Sequence, residues 1–176
     1  MDVRAFEATA ALRDNRPLRI RAIRPSDKAA LRAGFRRLSR QSVYFRFHGV
    51  KRALSERELV YFTEIDFRGH VALVAALIDG GQEHLVGVGR YVESDRTQRT
   101  RRAELAFAVD EDHQGLGVAS VLLKCLTRIA RKQGIEEFIA FVLPENQAMI
   151  DVFHHSGLPV RQISGGDALQ LSVMLG

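Results

Sequence analysis

The sequence predicts one α/β domain in which helices flank a central sheet. Its 176 residues match the size of a single domain, and 46% hydrophobic with 27% charged residues is typical of a globular chain. Segments with the alternating pattern of strands are interspersed with segments that have the helical period. No internal repeat or linker-like tract separates them, which supports one continuous domain.

The amino-terminal third predicts a strand followed by two helices. Residues 18–23 alternate apolar and basic side chains, as a half-buried strand does. Ser26 or Asp27 can cap a helix that continues to about Arg40. Residues 55–58 have the spacing of a capping box, a serine followed three residues later by a glutamate, and begin a second, short helix.

The remainder of the chain predicts further strands, which alternate with helices after the hairpin. Residues 70–78 and 84–92 predict a hairpin with an Asp-Gly-Gly turn. The later segments are a strand at 102–109, a glycine-containing turn at 110–117, a long helix ending at Gly134, a strand at 138–143, a helix at 145–157 and a last strand at 168–175.

Basic residues are concentrated at the amino terminus. Residues 1–50 contain 12 Lys and Arg against 4 Asp and Glu, although the net charge of the whole chain is only +5. Arg32, Arg36 and Arg40 recur every four residues and predict one basic helix face. This excess could bind an acidic acceptor surface, or it could reflect arginine-rich composition alone. Nucleic-acid binding is disfavoured because no known reading motif accompanies the charge.

Cysteine content and hydropathy favour a cytoplasmic protein. The single cysteine, Cys125, cannot form an internal disulfide, which fits a reducing compartment, and it is expected in the core of the long helix. No apolar run approaches the ~18 residues that span a bilayer, and the amino terminus lacks a signal-peptide pattern. Membrane insertion and secretion are therefore disfavoured.

The turn at 110–117 is the most informative segment. Gly115 and Gly117 allow a tight turn that would point successive backbone N–H groups outward at the positive end of the following helix. Such a turn can bind a pyrophosphate, although an ordinary tight turn has the same glycines. It is neither a kinase-type P-loop nor the three-glycine dinucleotide fingerprint.

Two motifs resemble those of the GNAT family of N-acetyltransferases. Residues 114–119, Gln-Gly-Leu-Gly-Val-Ala, fit the family signature Gln/Arg-x-x-Gly-x-Gly/Ala between a strand and a long helix. Residues 146–158 fit the family's later helix pattern, Asn-x-x-Ala-x-x-Leu-Tyr-x-x-x-Gly-Phe, with Met149, Phe153 and Leu158 as substitutions. Two motifs at the correct separation are far more specific than either one.

The resemblance covers nearly all of the chain and implies a GNAT fold. That fold has a mixed, mostly antiparallel sheet of six or seven strands, splayed between the fourth and fifth strands and flanked by about four helices. It divides the chain into an amino-terminal extension, 1–17, and one acetyltransferase domain, 18–176. Residues 38–49 and 58–75 further resemble the acetyltransferase domain of bacterial Pat-type protein lysine acetyltransferases.

The resemblance also implies that the chain binds acetyl-CoA, releases CoA and uses no metal. In the family the pantetheine arm pairs with the strand before the loop, a backbone N–H there polarises the thioester carbonyl, and loop N–H groups hold the pyrophosphate. Asn146 matches the family residue that bonds the pantetheine arm, and the alternative is that it only caps its own helix. The matching positions are Phe107, Ala108 and Val109 on the strand, Gln114, Gly115, Leu116, Gly117, Val118, Ala119 and Ser120 at the loop, and Asn146 and Phe153 on the later helix.

Glu104 is the expected catalytic base. Acetyl transfer requires a neutral amine, whereas an unperturbed lysine has a pKa near ~10.4, so a base must remove a proton. Glu104 is the only acid within the apolar strand and matches the base position of many family members, the Pat type included. We expect it to be buried near the thioester. The alternative is a strand-end carboxylate paired with Arg101 or Arg102.

The sequence departs from the family at the general acid. Phe153 stands where many members have a tyrosine, and a phenyl ring has no proton for the departing thiolate. His154 and His155 are expected at the surface, since at most one of two successive helical residues could face the site. His113 is expected to pack at the loop.

These features imply an acetyl-CoA-dependent N-acetyltransferase that acts on a primary amine by direct attack in a ternary complex. A protein lysine, on a protein with an acidic surface, is the favoured acceptor. The alternatives are a small-molecule amine acetyltransferase and a non-catalytic acyl-CoA-binding regulatory module. Dimers are common in the family, which leaves a homodimer open.

Overall fold

The computed structural model describes residues 2–94, 100–165 and 167–176, which form an eight-stranded sheet with five α-helices. The strands are β1 Glu7–Ala11, β2 Pro17–Ala22, β3 His70–Asp79, β4 Gln82–Glu93, β5 Arg102–Val109, β6 Glu137–Val142, β7 Val160–Gly165 and β8 Ala168–Met174. The helices are α1 Lys28–Arg37, α2 Arg40–Phe47, α3 Glu56–Thr63, α4 Val118–Lys132 and α5 Gln147–His154.

The α/β fold predicted from the sequence is confirmed, with more strands than expected. The sheet order is β1-β2-β3-β4-β5-β6-β8-β7, and every neighbouring pair is antiparallel except β5 and β6. One additional strand is β1, which lies in the segment expected as an extension and pairs with β2 from Glu7 opposite Arg21 to Ala11 opposite Pro17. Its mostly exposed edge position explains why its hydrophobic pattern is weak.

The helix expected to reach Arg40 ends earlier, and a separate helix follows it. Leu38 is extended, and the Ser39 hydroxyl accepts a hydrogen bond from the backbone N–H of Ser42 at 3.0 Å, which caps α2. Arg40 therefore begins α2, and the single basic face expected from Arg32, Arg36 and Arg40 is wrong. In addition, Arg32 pairs with Glu56.

The sheet splays where its two parallel strands diverge. Only three residues of β5 have register partners on β6, the last being Glu104 opposite Ile139. Residues 105–109 continue β5 along β4 but lie apart from β6. Because β1 precedes the expected strands, the splay lies between the fifth and sixth strands rather than the fourth and fifth. The expected opening in the sheet is confirmed.

The main core lies between the sheet and α4. Leu122 and Leu126 of α4 are fully buried with the Tyr91 and Phe138 rings, whose centroids are 5.4 Å apart. A smaller apolar cluster lies on the opposite face of the sheet, towards α1 and α3. Within the described ranges, no helix has the length and apolar character to cross a membrane.

Two glycines of β4 allow α4 and β5 to approach closely. A Cβ at Gly87 would lie 2.6 Å from Cγ1 of Val118, the first residue of α4, and one at Gly89 would lie 2.8 Å from the Phe107 ring. Neither contact is possible without movement of the packed neighbours. Gly87 therefore sets the distance between the sheet and the beginning of α4, and Gly89 leaves room for the Phe107 ring and for Leu126 of α4.

Gly87→Ala should destabilise the fold by about 1–3 kcal/mol, because the added methyl group overpacks the contact with Val118. Urea unfolding measures this change. Gly34→Ala in α1 is the control, since its Cβ would be 3.7 Å from the end of the flexible Arg37 side chain and alanine favours a helix. Equal unfolding free energies for the Gly87→Ala variant and the wild type would contradict the close-packing argument.

Candidate active site

A cleft of about 620 Å³ occupies the splay between β5 and β6. One side is formed by β5 and α2, and the other by β6 and α5. The loop at 110–117 and the first turn of α4 lie at one end. The elements that carry both sequence motifs therefore meet at one opening in the sheet.

The open edge of β5 presents backbone groups to this cleft, and one of them, the Val109 carbonyl, accepts a hydrogen bond from Gln114 Nε2. The N–H of Asp110 donates to Val86 O, and the N–H of Ser94 donates to Arg102 O, so even-numbered residues of β5 bond to β4. By alternation, Phe107 and Val109 direct their N–H and C=O groups to the open edge. The main chain of Ala108 instead faces β4, so its contribution to the cleft is its side chain.

The loop before α4 leaves helix N–H groups without backbone partners. Gly115 and Gly117 have φ of 74° and 94°, conformations that favour glycine. The first intrahelical bond runs from Val121 N–H to Gly117 O, and no side chain of the described residues caps the helix. The N–H groups of Val118–Ser120 therefore point towards the loop at the positive end of a 15-residue helix.

Arg13, in the turn between β1 and β2, holds this loop and was missed by the sequence analysis. Its backbone N–H donates to Leu116 O at 3.0 Å, and its guanidinium donates to Gly115 O at 2.9 Å. Both loop carbonyls are thereby hydrogen-bonded, and the exposed Arg13 side chain lines the cleft. The sequence signal that could have revealed this turn is the pair Asp14-Asn15, two residue types common in turns, of which Asn15 has φ of 67°.

The structure brings the other expected cofactor residues to the same cleft. Gln114 fastens the loop, since its Nε2 donates to Ser42 Oγ at 3.1 Å and to Val109 O at 3.3 Å. Asn146 caps α5 by accepting from Met149 N–H at 3.2 Å, while its side-chain amide N–H groups stay available. Phe153 is buried, with its ring centroid 6.2 Å from that of Phe107.

Glu104 lies at the apex of the splay, on the face covered by α1–α3. Its side chain points away from Leu105 and Phe107, which belong to the α4 core. The expected burial is wrong, because Glu104 is exposed. The alternative pairing with neighbouring arginines is not found either: among the described residues, the partners of Arg101 and Arg102 are Glu93 and Glu137.

The helix α2, also missed by the sequence analysis, places a cation beside Glu104. Arg46 lines the cleft and is close enough to Glu104 for an electrostatic interaction that favours the charged form of Arg46. Burial has the larger effect and lowers the pKa of Arg46 from its usual value. The signal for α2 was the serine at its N-cap position.

The remaining candidates for proton transfer have other contacts. The ring of His113 is mostly buried and lies 3.3 Å from Asp110, which fits the expected packing at the loop. His154 and His155 are exposed, as expected, and His155 also lines the cleft, with its Nδ1 2.8 Å from Asp151 O. Cys125 packs against the core, and burial raises the pKa of its thiol. Among the described residues that line the cleft, no tyrosine or cysteine stands at the position of a general acid.

Curated proteins with related sequences are acetyltransferases. The chain is 31% identical to an acetyltransferase of Pseudomonas aeruginosa over 142 residues, which are 81% of this chain and 75% of that protein. It is 29% identical to the acetyltransferase Pat of Mycolicibacterium smegmatis over 138 residues, which are 78% of this chain but only 40% of Pat.

Solved structures share the fold. The GNAT domain of S. lividans PAT superposes with a TM-score of 0.85 at 34% identity, covering 96% of each chain. A Salmonella typhimurium protein solved with its cofactor acetyl-CoA superposes with a TM-score of 0.64 at 23% identity, covering 89% of this chain and 91% of that one. The sequence profile of the acetyltransferase (GNAT) family matches residues 39–158. With both motifs at one splayed cleft, this chain belongs to the GNAT acetyltransferase family.

Proposed function

We propose that this chain transfers an acetyl group from acetyl-CoA to a primary amine by direct attack in a ternary complex, with a protein lysine as the favoured acceptor. The observation that carries the proposal is the splay after Glu104, which exposes the β5 edge between an uncapped helix terminus and a carboxylate. The family membership and the relatives named Pat support it.

The residues of the cleft fit acetyl-CoA. Phe107 offers its N–H and C=O, and Val109 its N–H, for strand-like pairing with an extended pantetheine arm, while the Val109 carbonyl is bonded to Gln114 Nε2. The N–H groups from Gly115 to Ser120 offer donors for a pyrophosphate, and Arg13 forms hydrogen bonds with the carbonyl groups of Gly115 and Leu116 in the same loop. Asn146 has amide donors left for the arm. When bound, acetyl-CoA supplies the activated acetyl group.

The reaction needs one base and one oxyanion donor from the chain. Glu104, approached from the α1–α3 face, takes a proton from the acceptor ammonium directly or through water. The N–H of Phe107, the open-edge donor nearest the apex, stabilises the negative charge that develops on the carbonyl oxygen. The amine nitrogen forms the new C–N bond as the C–S bond breaks. The proton that the nitrogen still has to lose passes through water to the departing CoA thiolate, since Phe153 has no proton to give, and Glu104 returns its own proton to solvent.

Calorimetry with acetyl-CoA and an acetylation assay with an amine panel test this function. We expect binding at one site per chain and acetylation of lysine peptides. Absence of binding at millimolar acetyl-CoA would overturn the proposal. Binding without transfer to any amine would favour the acyl-CoA-binding regulatory module, for which the missing tyrosine is the supporting observation. Transfer only to small amines would overturn the lysine assignment.

Arg13→Ala should weaken acetyl-CoA binding roughly 3- to 10-fold, because the variant loses the hydrogen bond that orients the loop. Calorimetric dissociation constants measure the effect. Arg16→Ala is the matched control, since Arg16 lies in the same turn but pairs with Asp14. Equal affinities for the Arg13 variant and the control would show that Arg13 does not organise the loop.

A further inference from the structure

We propose that the acceptor carries an anionic group beside its reacting amine and that Arg46, supported by Arg90, binds that group. This inference rests on the proposed function and names the acceptor chemistry that the same site selects. A carboxylate is the expected group, either on an acidic residue next to the acetylated lysine or as the α-carboxylate of a free amino acid.

The first observation is a pair of guanidinium groups without a carboxylate bonded to either. Arg90 is only 7% exposed, and it donates to Phe62 O at 3.4 Å and to the His70 ring at 3.1 Å. Its guanidinium lies 4.3 Å from the centroid of the Phe62 ring. The Arg46 guanidinium lies 4.9 Å from the centroid of the Phe47 ring. Among the described residues, neither forms an ion pair within hydrogen-bond distance.

A third arginine shows how this fold satisfies a buried guanidinium elsewhere. Arg21, 3% exposed, binds Asp27 through both terminal nitrogens at 2.8 and 2.9 Å and Glu83 at 2.7 Å. A buried cation is costly unless it is paired in this way. Within the described part of the chain, Arg90 lacks such a partner and the half-buried Arg46 has only the electrostatic attraction of Glu104, which indicates room for an external anion.

Among the residues that the structure describes, the strongest electrostatic neighbour of Arg90 is a second cation, Arg46. Burial, with a smaller contribution from Arg46, lowers the pKa of Arg90 to about 9, so the Arg90 guanidinium is charged at neutral pH. Burial and then Arg90 lower the pKa of His70 to about 4. His70 is therefore neutral and accepts the hydrogen bond from Arg90 at Nε2, which places its own proton on Nδ1.

The location of the pair is the second observation. Arg46 and Arg90 line one apolar recess, of about 90 Å³, together with Phe47, Phe62, Ala106 and Ala108. Arg46 also lines the main cleft, so the recess opens beside the proposed thioester position. Both alanines lie on the Glu104 face of β5. An acceptor whose amine reaches Glu104 would place its neighbouring groups against this recess.

Arg46 interacts with Glu104 as well, and this gives the competing explanation: Arg46 only positions the base. The two roles differ in kinetics. Binding of an acceptor anion acts on the KM of anionic acceptors alone, whereas positioning of Glu104 acts on kcat for every acceptor and moves the acidic limb of the pH profile.

Steady-state kinetics on the full chain with matched acceptors test the proposal. The probes are amidated lysine peptides with Glu or Gln next to the lysine, together with free lysine and lysine amide. We expect the KM of the Glu peptide to be at least ~10-fold lower than that of the Gln peptide, or the KM of free lysine to be at least ~10-fold lower than that of lysine amide. The peptide pair and the amino-acid pair distinguish the two sources of the carboxylate.

Arg46→Gln should abolish that preference without changing acetyl-CoA affinity, and Arg46→Lys should restore part of it. Arg36→Gln, an exposed arginine of α1, is the control that should keep it. Equal KM values for both members of each pair, or an Arg46→Gln variant that loses kcat equally with all acceptors, would overturn the inference while leaving the acetyltransferase assignment intact. If no amine is acetylated, the proposed function fails and the inference with it.

Discussion

Glu104→Gln should lower kcat by roughly 10²- to 10⁴-fold, because glutamine keeps the size of the side chain but cannot take a proton from the amine. Affinity for acetyl-CoA should be unchanged, since the proposed cofactor contacts lie along the open edge of β5 and at the loop, whereas the Glu104 side chain lies on the α1–α3 face of the sheet. The loss should be largest near neutral pH, where a lysine amine is almost fully protonated, and smaller at pH 9 and above.

The controls separate this role from a structural one. Asp112→Asn alters an exposed carboxylate near the loop that does not line the cleft, and it should keep wild-type kcat. Urea unfolding of the Glu104 variant should match the wild type, because the side chain is exposed. Near-normal turnover across pH 6 to 9 with full cofactor binding would refute Glu104 as the base.

Ser120→Asp should weaken acetyl-CoA binding roughly 10- to 100-fold, because like charges about 5 Å apart near a protein surface repel by about 3 kcal/mol. The same substitution should leave the fold intact or stabilise it by about 0.3–1 kcal/mol, since a carboxylate in the first turn interacts well with the helix dipole. A variant that binds acetyl-CoA more weakly but unfolds no more easily than the wild type distinguishes this charge effect from loss of the folded structure.

Two comparisons, one between variants and one between thioesters, test whether the effect of Ser120→Asp arises from the phosphates of acetyl-CoA. Ser120→Asn, which adds similar bulk without charge, should bind acetyl-CoA much more tightly than the aspartate variant. A short acetyl thioester without phosphates should react equally with all three proteins. If Ser120→Asp binds acetyl-CoA as the wild type does, the pyrophosphate does not lie at the beginning of α4.

The sequence predicted the parts of this fold in which local chemistry and hydrophobic period agree. The Ser55–Glu58 capping box, the β3–β4 hairpin, the boundaries of β5 and the Gly134 end of α4 are confirmed because each has a strong local signal. The glycine loop and the later helix motif were sufficient to identify the family, and the structure brings both to one cleft.

The residues that were missed depend on long-range contacts. Arg13 reaches the loop only because β1 and β2 form a hairpin at the sheet edge, since Arg13 and Gly115 are 102 positions apart in the sequence. The helix α2 was merged with α1 because two extended residues separate two stretches of helical composition. The Arg46 and Arg90 recess joins three helices to two strands, and no spacing within one segment could reveal it.

The central claim is that acetyl-CoA lies in the splay and pairs with the open edge of β5, and residue-resolved amide hydrogen exchange tests it most directly. Phe107 and Val109 should exchange readily in the free protein and at least ~10-fold more slowly with saturating acetyl-CoA. Ala106 and Ala108, already bonded to β4, should be protected in both states. Saturable acetyl-CoA binding with no change at Phe107 and Val109 would contradict the account.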